Sequence, residues 1–327
     1  MAYKRLQNTL TESKLLLPFA ALVCAAACYL VGLVASQLYV QLLCVTLATA
    51  MLIELNRSNQ LIRTESHSPA AMYLFLVGVS IFTFPDLGAC IMQLCMVALY
   101  FMLFHCRQHD ESPGWVFYGF FCLGLASMVF VQVLYYVPVL WLLMATCLRA
   151  LTARTFWASL LGLATPYWLS GPVLLYFLGP EVAVTHFTPL LTFMPLGDYS
   201  MLGEHEWAAV AWTVVLAVLG IIHYGQEGYQ DKTRTRLLHE IFITIDLLTI
   251  FFLFLQPQHY VLLLSIIIVN TCPLIAHFLT LTHSWLTNIL SVLILLITLL
   301  LITYNTWMPS SSFLSAMATQ VCSYLPL

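Results

Sequence analysis

Charged residues are scarce in this chain. Only 8% of its 327 residues are Asp, Glu, Lys or Arg, whereas 61% are hydrophobic. Soluble domains carry about 25% charged residues, and a soluble fold of this length has too little interior to bury so much apolar surface. Lipid must therefore be the solvent for most of the chain. The net charge of -3 also excludes the strongly basic surface that nucleic-acid binding requires.

Motifs for catalysis and for cofactor binding are missing as well. The sequence contains no P-loop, no dinucleotide-binding glycine motif, no HExxH and no GxSxG. We therefore predict no cofactor, and we favour a non-enzymatic role without excluding an enzyme. Ten cysteines are present, but none forms a CxxC pair. We expect them to be buried apolar thiols rather than disulfides or metal ligands.

Long apolar runs recur along the whole chain. A membrane-spanning helix needs about 20 apolar residues, and on that basis the sequence predicts an all-α bundle of about eleven spans in a single transmembrane domain over 1–327. The first run is longer than the apolar core of a signal peptide, so we interpret it as a retained span. The predicted spans are 15–35, 38–55, 70–85, 88–105, 115–131, 134–148, 156–178, 207–224, 238–255, 260–281 and 285–305.

The basic residues all fall on one side of such a bundle. Because cytoplasmic loops collect Lys and Arg, this asymmetry predicts the inner (cytoplasmic) membrane, a cytoplasmic N-terminus and a C-terminus outside. The turn near His283 carries no Lys or Arg, so the side of the C-terminus depends on the span count alone. The eleven basic residues are Lys4, Arg5, Lys14, Arg57, Arg63, Arg107, Arg149, Arg154, Lys232, Arg234 and Arg236.

The predicted spans divide the chain into four sections: two spans in 15–68, two hairpins in 69–155, one span and an outer loop in 156–206, and four spans in 207–327. Ser68-Pro69 and Ser112-Pro113 open the two hairpins, 44 residues apart. The hairpins are either an internal repeat, whose short spans would flank a transporter's binding site, or ordinary hairpins with proline in the first turn. In the seventh span, Pro166 and Pro172 predict a kinked helix beside a cavity.

Three polar residues within the last spans are candidates for a site inside the membrane. Asp246 lies about 12 Å from the cytoplasmic end of its helix, and in the next span Asn270 lies about 16 Å deep and His277 about 6 Å. We expect Asp246 to bond to Asn270 or to His277. The cluster is either a proton or cation relay, or a headgroup contact, or it is a structural interhelical hydrogen bond that contributes about 0.6–2 kcal/mol.

The loops predicted to lie outside supply the second group of candidates. They contain only acidic residues and histidines, and these could perform acid–base chemistry, although their spacing matches no metal site. The other interpretation is a solvated acidic loop with Asp86 as an ordinary turn residue. The candidates are Asp86, Glu181, His186, Asp198 and Glu204.

The cytoplasmic loops supply the third group, Arg57, Arg63 and Arg107. Basic residues next to a membrane attract anionic headgroups and phosphate. They also set the topology of the protein without binding a ligand, and the sequence does not choose between these two roles.

Two segments resemble a known family. Leu61-Ile62-Arg63-Thr64 through Pro69 to Phe75, and Gly124-Leu125-Ala126-Ser127, resemble an uncharacterised integral-membrane family of Bacteroidetes over about residues 50–180. The resemblance implies an all-helical fold in the cell envelope. The hairpin-rich middle also resembles polyprenyl-linked glycan enzymes such as O-antigen polymerases. It lacks the outer-loop arginines and the acidic motif of those enzymes, so no site residue is transferred.

Three hypotheses about function follow. The first is a non-ATP-driven transporter or a lipid- or glycan-handling protein, whose ligand would be a lipid or a lipid-linked glycan. The second is an envelope enzyme acting on a lipid-linked sugar at the outer loop. The third is a non-catalytic subunit of a membrane complex with unknown partners.

Overall fold

The structure is a computed structural model that describes residues 15–63, 66–106, 113–192, 199, 202–281 and 285–323. Over these residues it contains twelve α-helices and no β-strand. In chain order the helices are α1 (Leu16–Leu30), α2 (Tyr39–Asn59), α3 (Ser68–Val79), α4 (Leu87–Cys106), α5 (Pro113–Val129), α6 (Tyr136–Leu143), α7 (Ala153–Leu178), α8 (Glu181–Phe187), α9 (Glu204–Glu227), α10 (Thr233–Leu255), α11 (Tyr260–Leu281) and α12 (Trp285–Ser323).

Eight helical segments in the described part of the chain are long and apolar enough to cross a membrane. They lie in α2, α4, α7, α9, α10, α11 and α12, and in the run Val131–Leu148 that contains α6. Three more apolar helices, α1, α3 and α5, have 15, 12 and 17 residues, which is short for a bilayer. The all-helical class is confirmed and its apolar helices fit a membrane protein, whereas the count of about eleven spans is not confirmed.

Helix α11 is the centre of the bundle. Every side chain from Leu263 to Thr280 is buried, because α3, α4, α9 and α10 pack around this mostly apolar helix. At the periphery, α7 exposes large apolar side chains such as Trp157, Leu161 and Trp168. That exposure suits a helix in contact with lipid tails, which are as apolar as the side chains themselves.

The two predicted hairpins have the same order of elements. In the first, α3 opens at Ser68-Pro69, turns through a 3-10 segment at Ile81–Thr83 and returns as α4. In the second, α5 opens at Pro113, turns through Val131–Tyr135 and returns as α6. All twelve residues of α3 are buried, whereas α5 is only partly buried. An internal repeat remains a prediction that this shared order supports.

Helices α5 and α7 approach each other closely because each has a glycine facing the other helix, Gly124 on α5 and Gly162 on α7. A Cβ added at Gly124 would lie 2.8 Å from the carbonyl oxygen of Leu163, and one added at Gly162 would clash with the carbonyl oxygen of Phe117. Small residues at such a crossing allow the backbones of membrane helices to pack directly. This contact positions α7 and, with it, Pro166 and Pro172, which both lie within the continuous helix.

We predict that Gly162→Ala destabilises the folded protein by about 1–3 kcal/mol, because backbone atoms of α5 cannot move aside as a flexible side chain could. The matched control is Gly171→Ala on the same helix, where an added Cβ meets nothing within 4 Å. Thermal unfolding in mild detergent, followed by tryptophan fluorescence, measures the difference. Equal melting temperatures for the two variants would show that α5 and α7 do not pack as described.

Candidate functional site

Asp246 lies in the middle of α10 with a fully buried side chain. Its Oδ2 atom accepts a 3.1 Å hydrogen bond from the hydroxyl of Thr271 on α11. Its other oxygen, Oδ1, is buried and has no hydrogen-bond partner among the described residues. Buried carboxylate oxygens are rarely left in this state, because the loss of hydration is costly. The carboxyl group therefore retains a vacant bonding position inside the membrane.

The predicted partner of Asp246 is wrong in detail. The sequence favours Asn270 or His277, whereas the structure places Thr271 opposite the carboxyl group. Successive helix residues point about 100° apart, so a helix that presents Thr271 to α10 turns Asn270 elsewhere. Asn270 accepts a 2.6 Å hydrogen bond from the hydroxyl of Tyr100 on α4.

Helix α11 carries a line of polar side chains that bond to its neighbours. Near one end, Ser265 accepts a 3.4 Å bond from the amide of Gln93, which in turn accepts a 2.7 Å bond from the hydroxyl of Tyr73. Asn270 and Thr271 follow in the middle of the helix. Polar side chains in a membrane protein bond to neighbouring helices or to their own backbone, because lipid offers them no partner. The line fixes the position of α11 relative to α3, α4 and α10.

His277, the last polar residue of that line, is fully buried and belongs to a second site. Its Nε2 atom bonds to Oδ2 of Asp231 at 2.9 Å. The side chain of Asp231 is 1% exposed, and its other carboxylate oxygen, Oδ1, forms an ion pair with Nε of Arg63. Asp231 therefore joins the loop after α2 to the end of α11, and it lies in the turn between α9 and α10.

Around His277 lies a group that we term the histidine cluster: His223, Tyr224, His239 and His277. The ring of His277 lies 5.5 Å from that of His223 and 5.4 Å from that of His239, centroid to centroid. Tyr224 stacks on His239 at 4.5 Å with the two rings nearly parallel. Three separate helices thus bring three imidazoles and a phenol together at one end of the bundle.

The basic residues at this end hold the loops together. Lys232 bonds to the side chain of Gln60 at 3.3 Å, and Arg234 bonds to that of Asn59 at 2.8 Å. We term the end of the bundle where Arg63, Lys232 and Arg234 lie the basic end of the bundle. Arg57 forms an exposed ion pair with Glu54, one turn earlier on α2. Arg107, the remaining candidate of this group, lies outside the described residues.

The electrostatic environment of Asp231 favours its carboxylate form. Burial raises the pKa of the Asp231 carboxyl group, but the hydrogen bonds from His277 and Arg63 lower it by more, and the net result is a pKa below the ordinary value. Hydrogen bonds to a charged form favour that form. At neutral pH, Asp231 is therefore an anion held between a guanidinium group and an imidazole.

The candidates at the opposite end of the bundle do not form one site. Asp86 accepts a 2.9 Å hydrogen bond from the backbone of Gly88, which is the behaviour of a turn residue. Glu181 and Glu204 are exposed and begin different helices, α8 and α9. Asp198 lies outside the described residues.

Among the outer candidates in the described part of the chain, His186 lies beside a cavity. Its Nε2 atom is 3.4 Å from the hydroxyl of Tyr167, which is 2.7 Å from the hydroxyl of Ser127. A mostly apolar pocket of about 270 Å³ lies against these groups, between α7 and α8. The pocket is lined by Tyr167, Ser170 and Gly171 of α7 but by neither Pro166 nor Pro172, so the cavity predicted at the prolines stays a prediction.

The sequence alone did not indicate several residues of the Asp246 site and of the histidine cluster. His223 and Thr271 stand out in no motif. His239 and Asp231 are visible in the sequence as part of a charged loop, but not as partners of His277. Histidine at 223, 239 and 277 near the same ends of three successive predicted spans is the signal that would have indicated the cluster.

In the described residues, no group of three or more His, Cys, Asp or Glu side chains is placed to hold a metal ion. Comparisons with protein-family models, with curated proteins and with solved structures find no match for this chain. The resemblance to a Bacteroidetes family remains a prediction, and function has to be argued from the sites themselves.

We predict that Asp231→Asn lowers the free energy of unfolding at pH 7 by about 1–3 kcal/mol, as expected for loss of hydrogen bonds to a charged group. The pKa of Asp231 is lowered by folding, so its contribution is complete above the unfolded value of about 4. The contribution disappears as the pH falls through the lower folded value. Thermal unfolding of the wild type and the variant in detergent, at pH 7 and at successively lower pH, measures this.

Asp86→Asn serves as the control, because that carboxylate is exposed in a turn. Its effect should be small at every pH. A pH-independent difference between the wild type and Asp231→Asn would contradict the assignment of the stabilisation to the charged carboxylate.

Proposed function

We propose that this chain is a non-ATP-driven transporter of the inner membrane that moves protons or is coupled to them, and that Asp246 is the residue that takes up the proton. The single observation that carries the proposal is the unpartnered Oδ1 atom of Asp246, fully buried in the membrane-spanning part of α10. A carboxyl group at such depth is costly and is a functional candidate by default.

A purely structural hydrogen bond would explain Asp246 less well. A serine or threonine at position 246 could bond to Thr271 without introducing an ionisable group. A carboxyl group that uses one oxygen for Thr271 and leaves the other vacant resembles a binding position that is filled in only part of a cycle. Proton relays in membrane transporters use carboxylates in this manner.

The surroundings of α11 support a carrier. Its short neighbour α3 is completely buried, and short helices in the interior of a transporter often flank the substrate site. Since α11 is enclosed over its length, transport would require the surrounding helices to move. No ATP-binding motif supplies energy, so an ion gradient is the available source.

The same proposal includes the topology and a lipid contact. We infer about eleven spans, with the basic end and the N-terminus in the cytoplasm and the C-terminus outside, because Arg63, Lys232 and Arg234 meet at one end. The pocket beside Tyr167 and His186 supports binding of a lipid chain. Among the described residues, no contact favours a sugar-processing enzyme or a complex subunit over a transporter.

We predict that Asp246→Asn reduces proton uptake at least tenfold, because an amide cannot take up and release a proton at neutral pH. Purified protein is placed in vesicles that contain a fluorescent pH indicator, and a potassium diffusion potential drives uptake. Asp246→Glu, which keeps an ionisable group, should retain part of the flux.

Thr298→Val on α12 is the matched control. Thr298 is also buried, and it accepts a 3.1 Å bond from the indole of Trp212. This variant should transport protons as the wild type does. Equal fluxes for the wild type and for well-folded Asp246→Asn, or wild-type flux no greater than in protein-free vesicles, would refute the proposal.

A further inference from the structure

The histidine cluster takes no part in the binding position at Asp246, yet it has unusual hydrogen bonding. His239 donates Nδ1–H to the backbone oxygen of Thr235 at 3.0 Å, and His277 bonds through Nε2 to Asp231 at 2.9 Å. These bonds fix which nitrogen of each ring carries hydrogen. The second nitrogen of each neutral ring is left with a free lone pair.

Those free positions collect in one place. Nδ1 of His277, Nε2 of His239, Nε2 of His223 and the hydroxyl of Tyr224 are all buried and have no hydrogen-bond partner among the described residues. Buried polar atoms normally bond to protein or to water. A group of basic nitrogens without partners, at ring separations of 5.4 and 5.5 Å, is a place where a proton or a proton-carrying water would be held.

From this geometry we infer that the histidine cluster is the proton-loading site at the basic end of the protein, and that it holds one proton for delivery to Asp246. The inference rests on the proposed function, since it names the entry point of the same path. The ligand is a single proton, shared among the free nitrogens of His223, His239 and His277.

The charges around the cluster support a single proton. Asp231 is the carboxylate in direct contact with the cluster, through its 2.9 Å bond to Nε2 of His277. Asp231 is already paired with Arg63, and the other charged groups that act on Tyr224 are Arg236 and Glu240. One imidazolium ion is stabilised by Asp231. A second one at the same separation would be repelled by the first.

The path from the cluster to Asp246 is interrupted by an aromatic layer. His239 and Asp246 are seven residues apart on α10, so they share a face at about 10 Å separation. Phe242 lies between them and packs on Tyr100 at 4.8 Å and on Phe104 at 5.4 Å. The proton therefore passes only when this layer moves, which is how a carrier avoids an open leak.

The test compares the pH dependence of proton uptake in vesicles for the wild type, His239→Gln, His277→Gln and Asp246→Asn. The control is His105→Gln, a half-buried histidine of α4 that stacks on Trp115 outside the cluster. We expect the two cluster variants to lose at least tenfold in rate at pH 7.5 and to recover when the pH is lowered, because bulk protons then reach Asp246 without the loading site. Asp246→Asn should stay inactive at every pH.

If the cluster variants keep the wild-type rate and pH profile while Asp246→Asn is inactive, the inference is overturned and the proposed function stands. If Asp246→Asn is also fully active, both are overturned. Should either glutamine variant fail to fold, solid-state NMR of ¹⁵N-histidine-labelled wild type in bilayers decides. Imidazole signals that share one proton support the site, whereas three independently titrating histidines overturn it.

Discussion

The structure depends on one constraint: a polar side chain inside a membrane must find its hydrogen-bond partner within the protein. Helix α11 is enclosed from Leu263 to Thr280, so each of its polar residues has to meet this constraint within the bundle. Ser265 does so with Gln93, Asn270 with Tyr100, Thr271 with Asp246 and His277 with Asp231. Each pair adds only a modest stabilisation, but together they fix which face of α11 each neighbour meets.

Two sites contain more ionisable groups than this constraint requires. At Asp246 the chain uses an ionisable group where a hydroxyl would suffice, and it leaves one oxygen vacant. At the basic end it gathers three imidazoles, each with one buried ring nitrogen that has no hydrogen-bond partner among the described residues. Both sites lie on the line between α10 and α11, and Phe242 separates them. A carrier that loads a proton at one end and holds it at mid-membrane has this arrangement: two titratable sites, with a side-chain barrier between them that can move.

Much of the fold follows from the sequence, because apolar length and one-sided basic charge are local properties. The predicted segments coincide with apolar helices. The span count is not confirmed because α1 and α3 are shorter than their predicted apolar runs, and α5 has only 17 residues. In the first hairpin, residues 81–83 turn in a 3-10 segment instead of extending α3. Hydropathy does not distinguish such a turn from a helix.

The sites were predicted less completely, since their geometry depends on helix rotation. Depth along the chain correctly selects Asp246, Asn270 and His277 as buried. It does not show that α11 turns Thr271 toward Asp246, or that the loop after α2 brings Arg63 to Asp231. The outer candidates are all acidic or imidazole groups, which made them conspicuous, yet Asp86 is a turn residue and Glu181 and Glu204 are exposed on separate helices.

The most direct test of the central claim is the reaction of Asp246 with dicyclohexylcarbodiimide, an apolar reagent that adds to protonated carboxyl groups. The protein is treated in its native membrane across a range of pH, and peptide mass spectrometry locates the adduct. A proton-binding Asp246 should be modified, with less adduct as the pH rises and the group loses its proton. Asp246 that stays unmodified at every pH in the folded protein, yet reacts once the protein is unfolded, would show a sealed structural carboxyl group and contradict the account.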